Sequence, residues 1–119
     1  MRTFKDIECV YSYRHKNEEL KGGKYKCFVI SDKGSISFAV TEVGEQLLIN
    51  EEVLKKALRE NMSVETNGMY MYLDEEGITP LECIVHINIM PLVTNLYVTD
   101  TNNSIGISNF NLNRLLNIN

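Results

Sequence analysis

The chain has 119 residues, a net charge of −4 and 44% apolar residues, which is the size and composition of one globular domain. No run approaches the roughly 18 apolar residues of a membrane-spanning helix. The charged start of the chain also lacks the apolar core of a signal peptide. We therefore expect a single domain over residues 1–119, located in the cytoplasm and without membrane contact.

Cysteine usage and charge distribution support an intracellular domain without an extended basic surface. Three cysteines, an odd number, lie in strand-like apolar runs, which argues against a disulfide framework. Residues 1–33 carry eight basic and five acidic side chains, whereas residues 34–119 carry four basic and eleven acidic ones. This asymmetry can steer the approach of partners.

The first half of the chain predicts three strands. Apolar and polar residues alternate over Ile7–Arg14, the period of a strand with one buried face. The polar run Lys16–Lys24 predicts a loop. Tyr25–Ser31 and Ser35–Thr41 form a predicted hairpin around Asp32-Lys33-Gly34, read as a type I turn with Gly34 left-handed.

A helix is predicted over Glu51–Glu60. Asn50 can cap it, and its first two glutamates favour the positive end of the helix dipole. Val53, Leu54, Ala57 and Leu58 form one apolar stripe. This segment is predicted to pack on a sheet.

The second half begins with less regular signals. Asn67-Gly68 predicts a turn and Met69–Leu73 a strand. Thr79–Met90 opens like a capping box, with Pro80 at the first helical position. Its β-branched residues alternate with polar ones, and this pattern favours a strand over a helix.

The chain end predicts another hairpin and a short helix. Leu96–Thr99 and Ser104–Ser108 flank Asn102-Asn103, residues that tolerate positive φ. Asn109–Asn117 predicts a short terminal helix. The fold class is therefore α+β and mostly antiparallel, a sandwich or half-open barrel of six to seven strands.

The sequence also contains a candidate internal two-fold repeat. Cys27–Ala39 aligns without gaps on Leu96–Ser108, and Ile7–Val10 resembles Leu81–Ile84. The repeat units would span about residues 4–61 and 78–119. Hairpins share alternation and turn residues for physical reasons, so chance resemblance is the alternative.

A catalytic or metal site has little support. Cys83 and His86 form a Cys-x-x-His pair, but residues three apart on a strand point to opposite faces. No second closely spaced pair exists to complete a zinc site, so we predict no metal and no cofactor. An enzyme that uses a Cys/His pair is kept as an alternative to a non-catalytic protein.

Single-stranded nucleic acid is a second alternative ligand. Cations beside aromatic side chains are the features that hold phosphates and bases, and Tyr11, Tyr13 and Tyr25 provide the aromatic rings. The candidate cations are Arg14, Lys16, Lys21, Lys24 and Lys26. Glu18 and Glu19 interrupt this patch, and the whole chain is acidic.

The leading hypothesis is a non-catalytic protein-binding or accessory module, acting as a homodimer or on another protein. Its candidate interface residues are Met69, Tyr70, Met71 and Tyr72. Tyrosine and methionine are enriched in protein interfaces, and methionine adapts to irregular partners. The alternative is a central strand covered on both faces.

Overall fold

The computed structural model describes residues 1–13, 21–74, 76–99 and 101–118. In these residues the chain forms eight antiparallel strands that close into a barrel, with each strand paired to the next and β8 paired to β1. The strands are β1 (Arg2–Tyr13), β2 (Lys21–Asp32), β3 (Ser35–Val40), β4 (Glu45–Asn50), β5 (Val64–Asp74), β6 (Gly77–Ile89), β7 (Val93–Val98) and β8 (Ser104–Ser108). Helix α1 (Glu51–Glu60) lies between β4 and β5, and helix α2 (Asn109–Leu115) follows β8.

The mostly antiparallel fold class is confirmed, but the predicted six to seven strands and open architecture are wrong. Glu45–Asn50 is an additional strand, and pairing of Val10–Ser12 with Ser104–Gly106 closes the barrel. Closure joins the two outer strands, which a sandwich or a half-open barrel would leave apart. The seam is short, since β1 pairs with β8 only over Val10–Ser12, and Gly77–Cys83 of β6 pairs with β5 alone.

Two predicted breaks in the strands are also wrong. Asn67-Gly68 lies inside β5, where Gly68 pairs with Cys83. A side chain at Gly68 would meet Val85 and the Leu48 carbonyl, so this glycine serves close packing and not a turn. Lys21–Lys24 of the predicted Lys16–Lys24 loop belongs to β2, and residues 14–20 lie outside the described residues.

Most local predictions are confirmed. α1 begins after Asn50, whose side chain accepts a hydrogen bond from the Val53 amide at 3.0 Å. Thr79–Met90 is strand almost throughout, as its β-branched pattern favours. The β2–β3 turn has positive φ at both Lys33 and Gly34, which makes it type I′ and not type I. That turn type matches the twist of a two-residue hairpin.

Both helices close the same end of the barrel. Alternate strands of an up-and-down barrel run in the same direction, so β4 and β8 lead into α1 and α2 at one end. The helices bury Leu54, Ala57, Leu112 and Leu115 against the strands. We call this end the helix end, and the other, which carries the β3–β4 and β7–β8 connections, the loop end.

The pairing registers relate the two halves of the barrel by a constant offset of 58 residues. Phe38 pairs with Leu47 in β3–β4, and Leu96 pairs with Ile105 in β7–β8. The same offset relates the β2–β3 register to that of β6–β7. Gly44 and Asn102, at equivalent places in the two loop-end connections, both have positive φ.

The helices and the first strands of the two halves follow the same relation. α1 starts at residue 51 and α2 at residue 109, after the capping residues Asn50 and Ser108. Between β1 and β5 the offset becomes 59, because Cys9 pairs with Tyr25 and Gly68 pairs with Cys83. Positions related in this way are called counterparts below.

Candidate functional site

A buried polar cluster occupies the loop end of the barrel. It consists of Tyr11, Glu45, Tyr70 and Asn103, at the loop ends of β1, β4, β5 and β8. The Asn103 amide nitrogen donates to the Tyr70 hydroxyl at 2.8 Å and lies 3.3 Å from the Tyr11 hydroxyl. It also lies 3.5 Å from Glu45 Oε2. Tyr11 and Tyr70 are counterparts, and so are Glu45 and Asn103.

The Glu45 carboxyl lies in an unusual environment for an acidic group. Its residue is only 4% exposed, and its Oε1 atom has no hydrogen-bond partner among the described residues. Burial raises the pKa of Glu45, and a hydrogen bond with the Tyr70 hydroxyl offsets part of that rise. Burial, together with the neighbouring Glu45, also raises the pKa of Tyr70. The cluster therefore favours a neutral carboxyl.

The barrel should consequently lose stability relative to a Glu45→Gln variant as the pH rises. When the pKa of a carboxyl in the folded state exceeds its pKa in the unfolded state, about 4.3, the carboxyl stabilises the fold at pH values below the unfolded-state pKa. This contribution is lost as the pH rises through the folded-state pKa. Urea unfolding of both proteins at several pH values would measure the difference. Glu82→Gln controls for the loss of one carboxylate at an exposed position. A difference that stays flat with pH would show that the fold does not raise the pKa of Glu45.

The cluster leaves no room for a ligand of ordinary size. The cavity beside it measures about 10 Å³ and is lined by the four cluster residues together with Gln46, Leu47, Leu96, Val98 and Ile105. That volume is at the lower limit for one water molecule. Among the described residues, the cluster therefore packs within the barrel and forms no ligand-sized cavity.

Two larger hollows lie on the outside of the barrel, on opposite sides. One, of about 630 Å³, lies over β4, β5 and β6, and the other, of about 490 Å³, lies over β8, β1 and β2. Most residues that line one hollow have a counterpart that lines the other, such as Met69 and Val10 or Glu82 and Lys24. The barrel thus presents the same shape twice, with different side chains.

The hollow over β4–β6 is part of an apolar face. We define this apolar face by Leu48, Met69, Met71, Ile78 and Ile84. Ile78 is 68% exposed and Ile84 41% exposed. A second hollow of about 260 Å³, lined by Met71 and Ile78, lies next to the first towards the loop end.

The opposite side of the barrel is more polar at the same positions. The counterparts are Gly106 for Leu48, Ser12 for Met71 and Lys26 for Ile84, whereas Val10, the counterpart of Met69, is also apolar and 52% exposed. The fold therefore accepts glycine, serine and lysine at these sites, and the apolar face is not a requirement of barrel formation. Exposed apolar patches that the fold does not need are typical of interaction sites.

The predicted interface residues divide between the two faces of β5. Tyr70 is 5% exposed and points into the barrel, where it joins the polar cluster. Tyr72 is half-buried, and its ring centroid lies 6.2 Å from that of Tyr70. Met69 and Met71 lie on the outside, half-buried, within the apolar face. The interface hypothesis stays a prediction, with the two methionines as its accessible members.

Cys83 and His86 are not brought together. Cys83 faces the interior and is buried, whereas His86 is on the outside of β6. His86 Nδ1 lies 3.2 Å from Glu65 Oε1, and its ring packs beside Tyr97. Cys9 and Cys27 are buried as well. A hydrogen bond between the two thiols, together with burial, raises the pKa of Cys27, whereas the same hydrogen bond lowers the pKa of Cys9 against the effect of burial. None of the three cysteines is placed as an accessible thiolate.

The predicted basic and aromatic patch is only partly described. Arg14 and Lys16 lie outside the described residues. Lys21, Lys24 and Lys26 are exposed on β2, and Lys26 lies 3.5 Å from Glu8 of β1. Tyr11 is buried in the polar cluster, so it offers no surface for a base to stack on.

The chain has no recognised relative among the proteins compared with it. No protein-family model, curated protein or solved structure matches the chain. Within the described ranges, no group of three or more His, Cys, Asp or Glu side chains could hold a metal ion. Neither helix in that part of the chain is long and apolar enough to cross a bilayer.

Sequence reasoning missed the polar cluster and the extent of the apolar face. Asn103 is predicted to lie in a hairpin turn, and Glu45 falls between the predicted strand Ser35–Thr41 and the predicted helix Glu51–Glu60, where no element is predicted. The signal that could have found them is the offset of 58 to 59 residues, which matches Glu45 with Asn103 and Tyr11 with Tyr70. The alignment used instead had an offset of 69.

Proposed function

We propose that this protein is a non-catalytic protein-binding module that acts through the apolar face of β4–β6. The observation that carries the proposal is the contrast between this face and its counterpart across the barrel. Ile84 and Met71 are apolar where the equivalent positions hold Lys26 and Ser12. Because the same backbone geometry tolerates polar residues, the apolar ones need another explanation, and a protein partner supplies it.

We also propose that the two halves arose by duplication of one unit of four strands and a helix. The constant offset of the pairing registers and the matching helix caps support this reading. The units would span about residues 2–61 and 62–118, in place of 4–61 and 78–119. Under this reading the apolar face is a specialisation of one copy.

The test compares variants that import the residue of the opposite side. Ile84→Lys and Met71→Ser should fold with a stability change within about 0.5 kcal/mol, because both are surface substitutions that the barrel accepts at the counterpart positions. In affinity capture from lysate of the source cell, each variant should recover less of the companion protein than the wild type, by about tenfold or more. That factor is equivalent to ~1.4 kcal/mol of binding free energy. Light scattering on the eluate would report a homodimer as the companion instead.

The matched control is Val10→Ser, at the counterpart of Met69 on the opposite side. It should capture the same companion as the wild type. The proposal fails if all three variants behave alike, or if the wild type is a monomer that captures nothing. Among the described residues, the Cys/His enzyme has no comparable support, because the thiols are buried. The nucleic-acid binder has none there either, because Tyr25, which lies between Lys24 and Lys26, is half-buried.

A further inference from the structure

We propose that the partner bound by the apolar face is a basic amphipathic helix. The inference rests on the function proposed above and adds the shape and charge of the bound segment. Its support comes from the closure of the barrel, the form of the hollows and the charges of strands β4, β5 and β6.

Barrel closure decides how a partner can bind. A peptide that adds a strand needs a sheet edge with unpaired amides and carbonyls. Here Leu48 of β4 and Met69 and Met71 of β5 lie in backbone that is paired on both sides, whereas Gly77–Cys83 of β6 pairs with β5 alone. A partner seated over Leu48, Met69 and Met71 must therefore contact side chains, and an amphipathic helix laid on an apolar surface is a recurrent way to do this.

The two hollows of the apolar face offer anchor sites along one line. The larger is lined by Leu48, Met69 and Ile84, and the smaller by Met71 and Ile78. Met69 and Met71 are successive outward residues of β5, so the hollows are neighbours. Apolar side chains one or two turns apart on a helix can fill two such sites, and methionines adapt to their shape.

Charge selects a basic partner. Strands β4, β5 and β6 contain no lysine or arginine, and the sequence has none between Arg59 and Arg114. That interval holds seven acidic residues, of which Glu65 and Glu82 are exposed on the outside of β5 and β6. The counterpart of Glu82 on the opposite side is Lys24. A partner with lysine or arginine beside its apolar stripe complements this face, whereas an acidic one is repelled.

The experiment is an NMR titration of the ¹⁵N-labelled full chain with synthetic amphipathic peptides. The probe is a leucine/lysine helix of about 18 residues, roughly 27 Å long. The comparison peptides keep the same pattern with leucine/glutamate and with serine/lysine. We expect the leucine/lysine peptide to shift amide signals of β4–β6, and its affinity to weaken about tenfold between 50 and 500 mM salt. The two comparison peptides should leave these signals in place.

Variants test separately the basic charge of the bound helix and the apolar face as its binding site. Glu82→Lys, which imports the charge of Lys24, should weaken the leucine/lysine peptide about fivefold or more, and Ile84→Lys should weaken it further. Phe110→Ser removes an exposed aromatic side chain of α2 and should change nothing. Shifts confined to β8, β1 and β2, or unchanged affinity in Glu82→Lys, would overturn the inference.

The failure of this inference is distinguishable from failure of the proposed function. If the leucine/glutamate peptide bound the apolar face as tightly and Ile84→Lys abolished its binding, the face would still be a protein-binding site and only the basic partner would be wrong. If no peptide shifted β4–β6 and Ile84→Lys captured the same companions as the wild type, both would be wrong.

Discussion

Replacing Asn103 by alanine should lower the free energy of unfolding by about 3 kcal/mol. The side chain is 1% exposed, and its amide serves the hydroxyls of Tyr70 and Tyr11 and the Glu45 carboxyl. Removing it leaves buried polar groups without that donor, and each such loss costs about 1–3 kcal/mol. Because four strands contribute to the cluster, the loss should appear as reduced stability of the whole barrel.

Urea unfolding followed by circular dichroism measures this change. Asn88→Ala is the matched control, since Asn88 is exposed on the outside of β6 and should cost less than about 0.5 kcal/mol. A Tyr70→Phe variant completes a double-mutant cycle. Its effect should be smaller in the Asn103→Ala background than in the wild type, because the two groups share a hydrogen bond of 2.8 Å. An Asn103→Ala cost below 1 kcal/mol, or strictly additive effects, would contradict the cluster's role.

The local elements could be predicted because their signals lie within a few residues of one another. Asn50 and the apolar stripe of α1 define a helix, and the alternation in Thr79–Met90 defines a strand despite the capping-box pattern of Thr79-Pro80-Leu81-Glu82. In that segment the β-branched residues prevailed, since Val85 and Ile87 are paired on both sides, with β5 and with β7.

Closure of the barrel could not be predicted in the same way. It depends on β1 meeting β8, which joins Val10 to Gly106 across almost the whole chain. Periodicity reports only that a strand has a buried face, and a sandwich, a half-open barrel and a closed barrel satisfy it equally. The polar cluster is hidden for the same reason, because its four members lie at least 25 residues apart and meet only once the strands are ordered.

The apolar face was visible in the sequence only in part. Met69 and Met71 were selected from the sequence for their residue type, which is independent of which face they occupy. Assigning Tyr70 to the interior required the register of β5 with β6. Counterpart positions could be compared only once the registers of both halves were known. That comparison separates the residues that the barrel needs from those that it does not.

Gly68→Ala should destabilise the barrel by about 2–3 kcal/mol, although alanine ordinarily improves a strand by roughly 0.5–1 kcal/mol over glycine. An added Cβ would lie 2.8 Å from Val85 Cγ2 and 2.9 Å from the Leu48 carbonyl oxygen. The carbonyl belongs to the β4 backbone, which is paired with β5 over Glu45–Ile49. It cannot retreat without disturbing that pairing, so the clash must be relieved by moving strands.

Gly106→Ala is the matched control, because its closest contact is of a different kind. There the added Cβ would lie 2.6 Å from Asn95 Oδ1, the far end of a side chain that can rotate away, and no other atom comes closer than 3.6 Å. Gly106→Ala should therefore be neutral or slightly stabilising in urea unfolding. Adding Val85→Ala to Gly68→Ala removes one of the two clashes, although it opens space elsewhere in the core. Equal costs for Gly68→Ala and Gly106→Ala would mean that conformational preference, and not the close approach of β4 and β5, explains the glycine at position 68.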